Sequence, residues 1–267
     1  MKAVRAVFFD AGMTLIGPSL LLQEVMALVL ARHGVDADLD ALRAGLDRAE
    51  DYYLQTVRSE RDIWSDRARI LAMWDNYYRT ALEAAGVQAD EAKLRQWTRE
   101  IIREFEDPQL WVPYPDVPET LAELRRRGFR QGVISDWTGP LERILAAHGL
   151  LEHLDFVLTS GEVGAAKPNP YLFRLALRRV GVSPEQAIHV GDTYWTDVLG
   201  ARVAGIQPIL LDRKATRPPA DCPVITSLDE LLVLLDGTGA SKTQEVGEPL
   251  GPADRPDDGQ VEAVLPE

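Results

Sequence analysis

The chain has 267 residues, 46% of them hydrophobic and 27% charged, and carries a formal net charge of -13 at pH 7. That acidic balance speaks against a nucleic-acid partner, which is gripped through clustered Lys and Arg. No run approaches the roughly 20 apolar residues of a membrane span. The opening MKAVRAVFFD lacks the small-residue cleavage site of a signal peptide, and the single cysteine, Cys222, permits no internal disulfide, so a cytoplasmic protein is expected.

In chain order, the first element is a short apolar run from Val4 to Phe9, suited to a strand buried on both faces and ended by Asp10. From Leu20 to Pro108 the pattern reads as helix after helix. Breaks near Gly34, Gly86 to Asp90 and Pro108 suggest roughly four helices, with most of Tyr52, Tyr53, Trp64, Trp74, Tyr77, Tyr78 and Trp97 expected in the core of that bundle. Further strands are expected at Gln131 to Ile134, Asp155 to Leu158, Ala187 to Val190, Pro208 to Leu211 and Pro223 to Ile225. Helices at Pro118 to Arg127, Pro140 to His148, Pro170 to Val180, Thr196 to Ala204 and Leu228 to Leu235 separate or follow them.

This alternation predicts an α/β fold: a doubly wound parallel sheet, Rossmann-like, with an inserted all-helical domain. The expected division is a core of residues 1–18 and 109–236, an insert of 19–108, and a disordered acidic tail of 237–267.

Four sites fall at expected strand ends, where a parallel sheet binds its ligands: Asp10 with Thr14, Ser135, Lys167, and Asp192 with Asp197. A carboxylate there can attack phosphorus when a divalent cation neutralises the phosphate, which makes Asp10 the expected nucleophile. Asp192 is expected as a second ligand of Mg²⁺, an ion that prefers one or two carboxylates beside substrate phosphate. Asp197 is expected either at the metal or as the positioner of Lys167. Lys167 is suited to bridge a carboxylate and a phosphate oxygen. Ser135 and Thr14 can donate to phosphoryl oxygens, with Asp136 beside them in the substrate-binding set.

The segments FFDAGMTL, GVISD, AAKP and HVGDTYWTD, in this order and split by a helical insert, resemble the haloacid dehalogenase superfamily over roughly residues 1 to 236. The resemblance implies that Asp10 forms an aspartyl-phosphate, that Thr14 and Ser135 contact the phosphoryl group and that Lys167 stabilises it. It also implies that Asp10, Asp192 and the carbonyl of Gly12 hold Mg²⁺, that the insert is a helical cap, and that a small phosphorylated metabolite is the substrate. Gly17 and Pro18 stand where the family places a hinge into the cap. Gly12 is a departure, since most phosphatases of the family carry there an aspartate that protonates the leaving group. Two alternatives follow from that loss: a metal-independent 2-haloacid dehalogenase relative, or a non-catalytic binding module on the same fold.

Overall fold

The computed structural model describes residues 3–60, 62–216 and 220–237. Its centre is a six-stranded sheet in the order β5-β4-β1-β6-β7-β8, formed by β1 (Ala6–Phe9), β4 (Arg130–Ser135), β5 (Phe156–Thr159), β6 (Ala187–Gly191), β7 (Gln207–Leu211) and β8 (Val224–Ile225). Every pairing in it is parallel, as the alternating pattern predicts.

The central strand shows why an unbroken apolar run is required here. Val7 and Phe9 enter one core with Leu121, Leu124, Leu141 and Ile144, from α5 (Val117–Arg126) and α6 (Leu141–Ala147). Ala6 and Phe8 enter a second core with Leu172, Phe173 and Ala176 from α8 (Pro170–Val180). Side chains alternate across a strand, so a sheet covered on both sides needs apolar residues at every position. Burying Phe8 and Phe9 completely contributes about 1.5–3 kcal/mol each.

Between the first strand and α5 lie four longer helices, α1 (Leu22–Arg32), α2 (Leu39–Ser59), α3 (Arg67–Ala84) and α4 (Glu91–Glu104). Asp38, Asp66 and Asp90 cap α2, α3 and α4 by accepting backbone N–H groups of the first turn. Among the described residues no strand interrupts the four helices. A feature without a sequence signal frames them: β2 (Ile16–Pro18) pairs antiparallel with β3 (Trp111–Pro113), so the chain leaves and re-enters the sheet region side by side. Three-residue strands containing proline give no periodicity to read.

The single helix expected over Thr196 to Ala204 is instead a π-helical turn at Tyr194–Val198 followed by α9 (Leu199–Val203). The expected tail lies outside the described residues except for Gly237, which closes α10 (Asp229–Gly237). Among the described residues no helix is long and apolar enough to cross a membrane.

Candidate active site

The sheet order brings the ends of β1, β4 and β6 side by side, and hydrogen bonds join Asp10, Ser135, Lys167 and Asp197 there. Asp10 directly follows β1, its N–H donating to the Val190 carbonyl at 2.9 Å, and Ser135 is the last residue of β4. Ser135 Oγ donates to Asp10 Oδ1 at 3.0 Å, and Lys167 Nζ donates to the same oxygen at 2.6 Å. Among the described residues no hydrogen bond reaches Asp10 Oδ2, which leaves one carboxylate oxygen for chemistry while the other is held.

Lys167 also donates to Asp197 Oδ1 at 2.7 Å, an oxygen that is 2.9 Å from His189 Nε2. The second oxygen of Asp197 accepts the Thr193 N–H at 3.0 Å. With donors on both oxygens, Asp197 is engaged by Lys167, His189 and Thr193, the contacts that the second of its two expected roles, positioning Lys167, requires. Gly191 makes this possible. A Cβ at that position would stand 2.2 Å from the Asp197 carboxyl carbon, so only glycine lets the carboxylate fold back against β6.

Charge in this cluster is unbalanced. Asp10, Lys167 and Asp197 are 6%, 4% and 1% exposed, and Asp136 lines a cavity alongside, its Oδ1 accepting the Lys167 N–H at 2.9 Å. Burial raises the Asp10 pKa above the ordinary carboxylate value, and Asp197 adds to the rise while Lys167 opposes it. Burial likewise pushes Asp136 up to about 7 against the pull of Lys167. Burial alone would weaken the hold of Lys167 on its proton, but Asp10, Asp197 and Asp136 overcome it and keep the ammonium charged. For Asp197 burial acts upward too, yet Lys167 and His189 bring its pKa below the ordinary value. One ammonium therefore faces three carboxyl groups.

A bound divalent cation would relieve that deficit, and the carboxylates of Asp10 and of Asp192, just beyond β6, with the Gly12 carbonyl, are oxygen donors of the kind Mg²⁺ takes. No group of three His, Cys, Asp or Glu side chains among the described residues forms a cage for a metal. A site of two carboxylates and a backbone oxygen, completed by water and substrate, does not need one.

Thr14 is fully buried, and its Oγ1 has no hydrogen-bond partner. An orphaned buried hydroxyl costs about 1–3 kcal/mol, which a phosphoryl oxygen arriving at the site would offset. Arg213 fixes this loop from far along the chain: it donates to the Thr14 carbonyl at 2.8 Å, pairs with Asp116 at 2.9 Å and stacks 3.9 Å over the Tyr114 ring. Neither Arg213 nor His189 stands out in the sequence, since one lies in a loop after β7 and the other reads as one more strand residue.

The Asp136 shift has a measurable consequence in the metal-free protein. Between its ordinary value of 3.8 and about 7 the folded chain binds a proton that the unfolded chain has released, so stability falls as pH rises through that window. Asp136→Asn keeps the acceptor for Lys167 and removes the titration. The substitution should raise the melting temperature by roughly 5 °C more at pH 8 than at pH 5; equal shifts at both pH values would show that Asp136 does not carry this dependence.

A family model for haloacid dehalogenase-like hydrolases matches residues 4–205. The chain belongs to that family. This hydrolase is 33% identical over 208 residues to human haloacid dehalogenase-like hydrolase domain-containing protein 3, covering 78% of this chain and 82% of that protein. It is 41% identical over 150 residues to a phosphoserine phosphatase of Thermus thermophilus, covering 54% of this chain and 58% of that protein. The crystal structure of a 2-haloacid dehalogenase from Pseudomonas syringae pv. Tomato DC3000 superposes with a TM-score of 0.62 at 25% identity, over 88% of this chain and 99% of that one. The proteins it is similar to are thus named for two different reactions.

Proposed function

We propose that this hydrolase is a Mg²⁺-dependent phosphatase that cleaves a small-molecule phosphate monoester through an aspartyl-phosphate on Asp10. The observation that carries this reading is the buried Asp10–Lys167–Asp197 cluster, with one Asp10 oxygen held and the other free. The phosphoserine phosphatase among its relatives supports it.

Mg²⁺ bound by Asp10, Gly12 and Asp192 would supply charge neutralisation for the phosphate. The chain's own groups do the rest. Lys167 and Ser135 hold Asp10 so that its free oxygen attacks phosphorus. The P–O ester bond breaks, and the leaving oxygen keeps the electron pair and takes a proton from solvent water, since Gly12 offers no acid. Thr14 Oγ1 and Lys167 donate to the phosphoryl oxygens, the positioning on which phosphoryl transfer chiefly depends. Water then cleaves the acyl phosphate and restores the carboxylate. Asp197 and His189 keep Lys167 oriented throughout. The helical insert serves as the cap over this site, with Gly17 and Pro18 in β2 at its entry.

A dehalogenase reading is kept by the structural likeness to a 2-haloacid dehalogenase. One experiment separates the two. Release of inorganic phosphate from phenyl phosphate should fall at least about 100-fold in a chelator and return with Mg²⁺. Halide release from a 2-haloacid that ignores the chelator, with no phosphatase activity, would establish the alternative.

A further inference from the structure

Beside the loops that carry the site lies a cavity of about 380 Å³, bounded by Met13 and by Asp136 to Gly139 on one side and by the helical insert on the other. Its lining includes Trp64, Trp74, Trp111 and Trp137, four of the six tryptophans in the chain, together with Tyr53 and Phe105. The bundle aromatics are therefore divided: Trp97 is buried away from this space, whereas Tyr53, Trp64 and Trp74 wall it. Tyr53 and Trp74 stack at 5.5 Å with 16° between planes, and Trp74 continues the stack to Tyr78 at 5.9 Å and 24°. At the sheet end, Trp111 and Trp137 meet at 4.8 Å.

The polar chemistry of the lining is one-sided. Glu50, Glu106 and Asp136 contribute carboxyl groups, and none of the described lining residues is Lys, Arg or His. Arg67 stands close by but is engaged with Glu106 at 2.7 Å and with the Thr138 carbonyl. A leaving group bearing a carboxylate or a second phosphate would lie among carboxyl groups with no Lys, Arg or His in the described lining, which disfavours binding. A planar aromatic group would instead bury its faces against the tryptophan and tyrosine rings, where offset and edge-on contacts add to area burial.

We infer that the substrate is the phosphate monoester of an aromatic alcohol or phenol that carries no anionic group besides the phosphate. This rests on the phosphatase reading and names the class of ester it acts on. Position 12 agrees with it. A Cβ on Gly12 would meet the Trp137 ring at 3.5 Å, so residue 12 offers no side-chain acid and borders an indole of the cavity wall. A phenolate leaves with less need of a proton than an alkoxide does.

The test is kcat/KM for phosphate release by the full chain with Mg²⁺ from four esters: phenyl phosphate, benzyl phosphate, glycerol 3-phosphate and O-phosphoserine. Benzyl phosphate is the deciding probe, because its leaving oxygen is an aliphatic alkoxide and any advantage reports recognition of the ring. It should exceed both aliphatic esters by about 100-fold, and Trp74→Leu should narrow that ratio. Glycerol 3-phosphate or O-phosphoserine cleaved as well as benzyl phosphate would overturn the inference and leave the phosphatase standing. Phosphate from none of the four would remove the phosphatase reading and this inference with it. The wild-type ratio decides the matter even if the variant fails to fold.

Discussion

Asp10→Asn should lower kcat for phosphate release by at least about 10⁴-fold, while its melting temperature stays within roughly 3 °C of the wild type. The two halves of this expectation have separate origins. A carboxamide is not a nucleophile toward phosphorus, so the first bond cannot form. Its carbonyl oxygen still accepts from Ser135 and Lys167, as Oδ1 does in the parent, and the change removes a buried charge that burial and Asp197 already disfavour. Single-turnover assays with melts of the same preparations read both. Retained turnover in a folded variant would move the nucleophile elsewhere. A collapse in stability would show that the carboxylate itself holds the site together. In the wild type, turnover in ¹⁸O water adds a discriminator. Water attacking the phosphorus of an aspartyl-phosphate leaves the label in phosphate, whereas water attacking an alkyl ester of Asp10, as a dehalogenase requires, leaves it in the Asp10 carboxylate.

The parts of this molecule that were legible from sequence are those where one physical demand acts on consecutive residues. Ala6 to Phe9 must be apolar throughout because both faces of β1 are covered, and that run points directly at Asp10. The ends of β4 and β6 follow by the same logic, and with them Ser135 and Asp192. What stayed hidden depends on where side chains turn in space. Asp197 lies on a π-helical turn and reaches Lys167 only because Gly191 clears its path, so spacing could not choose between its two roles. Arg213 acts on Thr14 across 199 residues, a relation without local pattern. The aromatics of the insert recur at helical spacing whether they fill a core or wall a cavity, because periodicity reports that a face is covered and not what covers it.

Lys167→Met should cost both stability and activity, and a double variant should return only the first. Methionine keeps the length and packing of the lysine stem but removes the one ammonium among Asp10, Asp197 and Asp136. Breaking a buried pair by deleting one partner costs about 3–5 kcal/mol, which for a chain of this size is a fall of roughly 10 °C in melting temperature. Turnover should drop about 10³-fold or more, through the lost contact to the phosphoryl group and because the Asp10 pKa, already raised by burial, rises further once Lys167 no longer opposes it. A carboxyl with a raised pKa is more ionised at higher pH, so the residual rate should climb with pH where the wild type has levelled. Adding Asp197→Asn removes one of the stranded carboxylates while its amide can still meet His189 and Thr193. The double variant should therefore melt above Lys167→Met, although Asp197→Asn alone melts below the wild type. This reversal is a coupling of opposite charges that independent packing losses cannot mimic. If the two losses simply add, Lys167 and Asp197 do not act as a pair, and the orientation of the ammonium toward Asp10 needs another source.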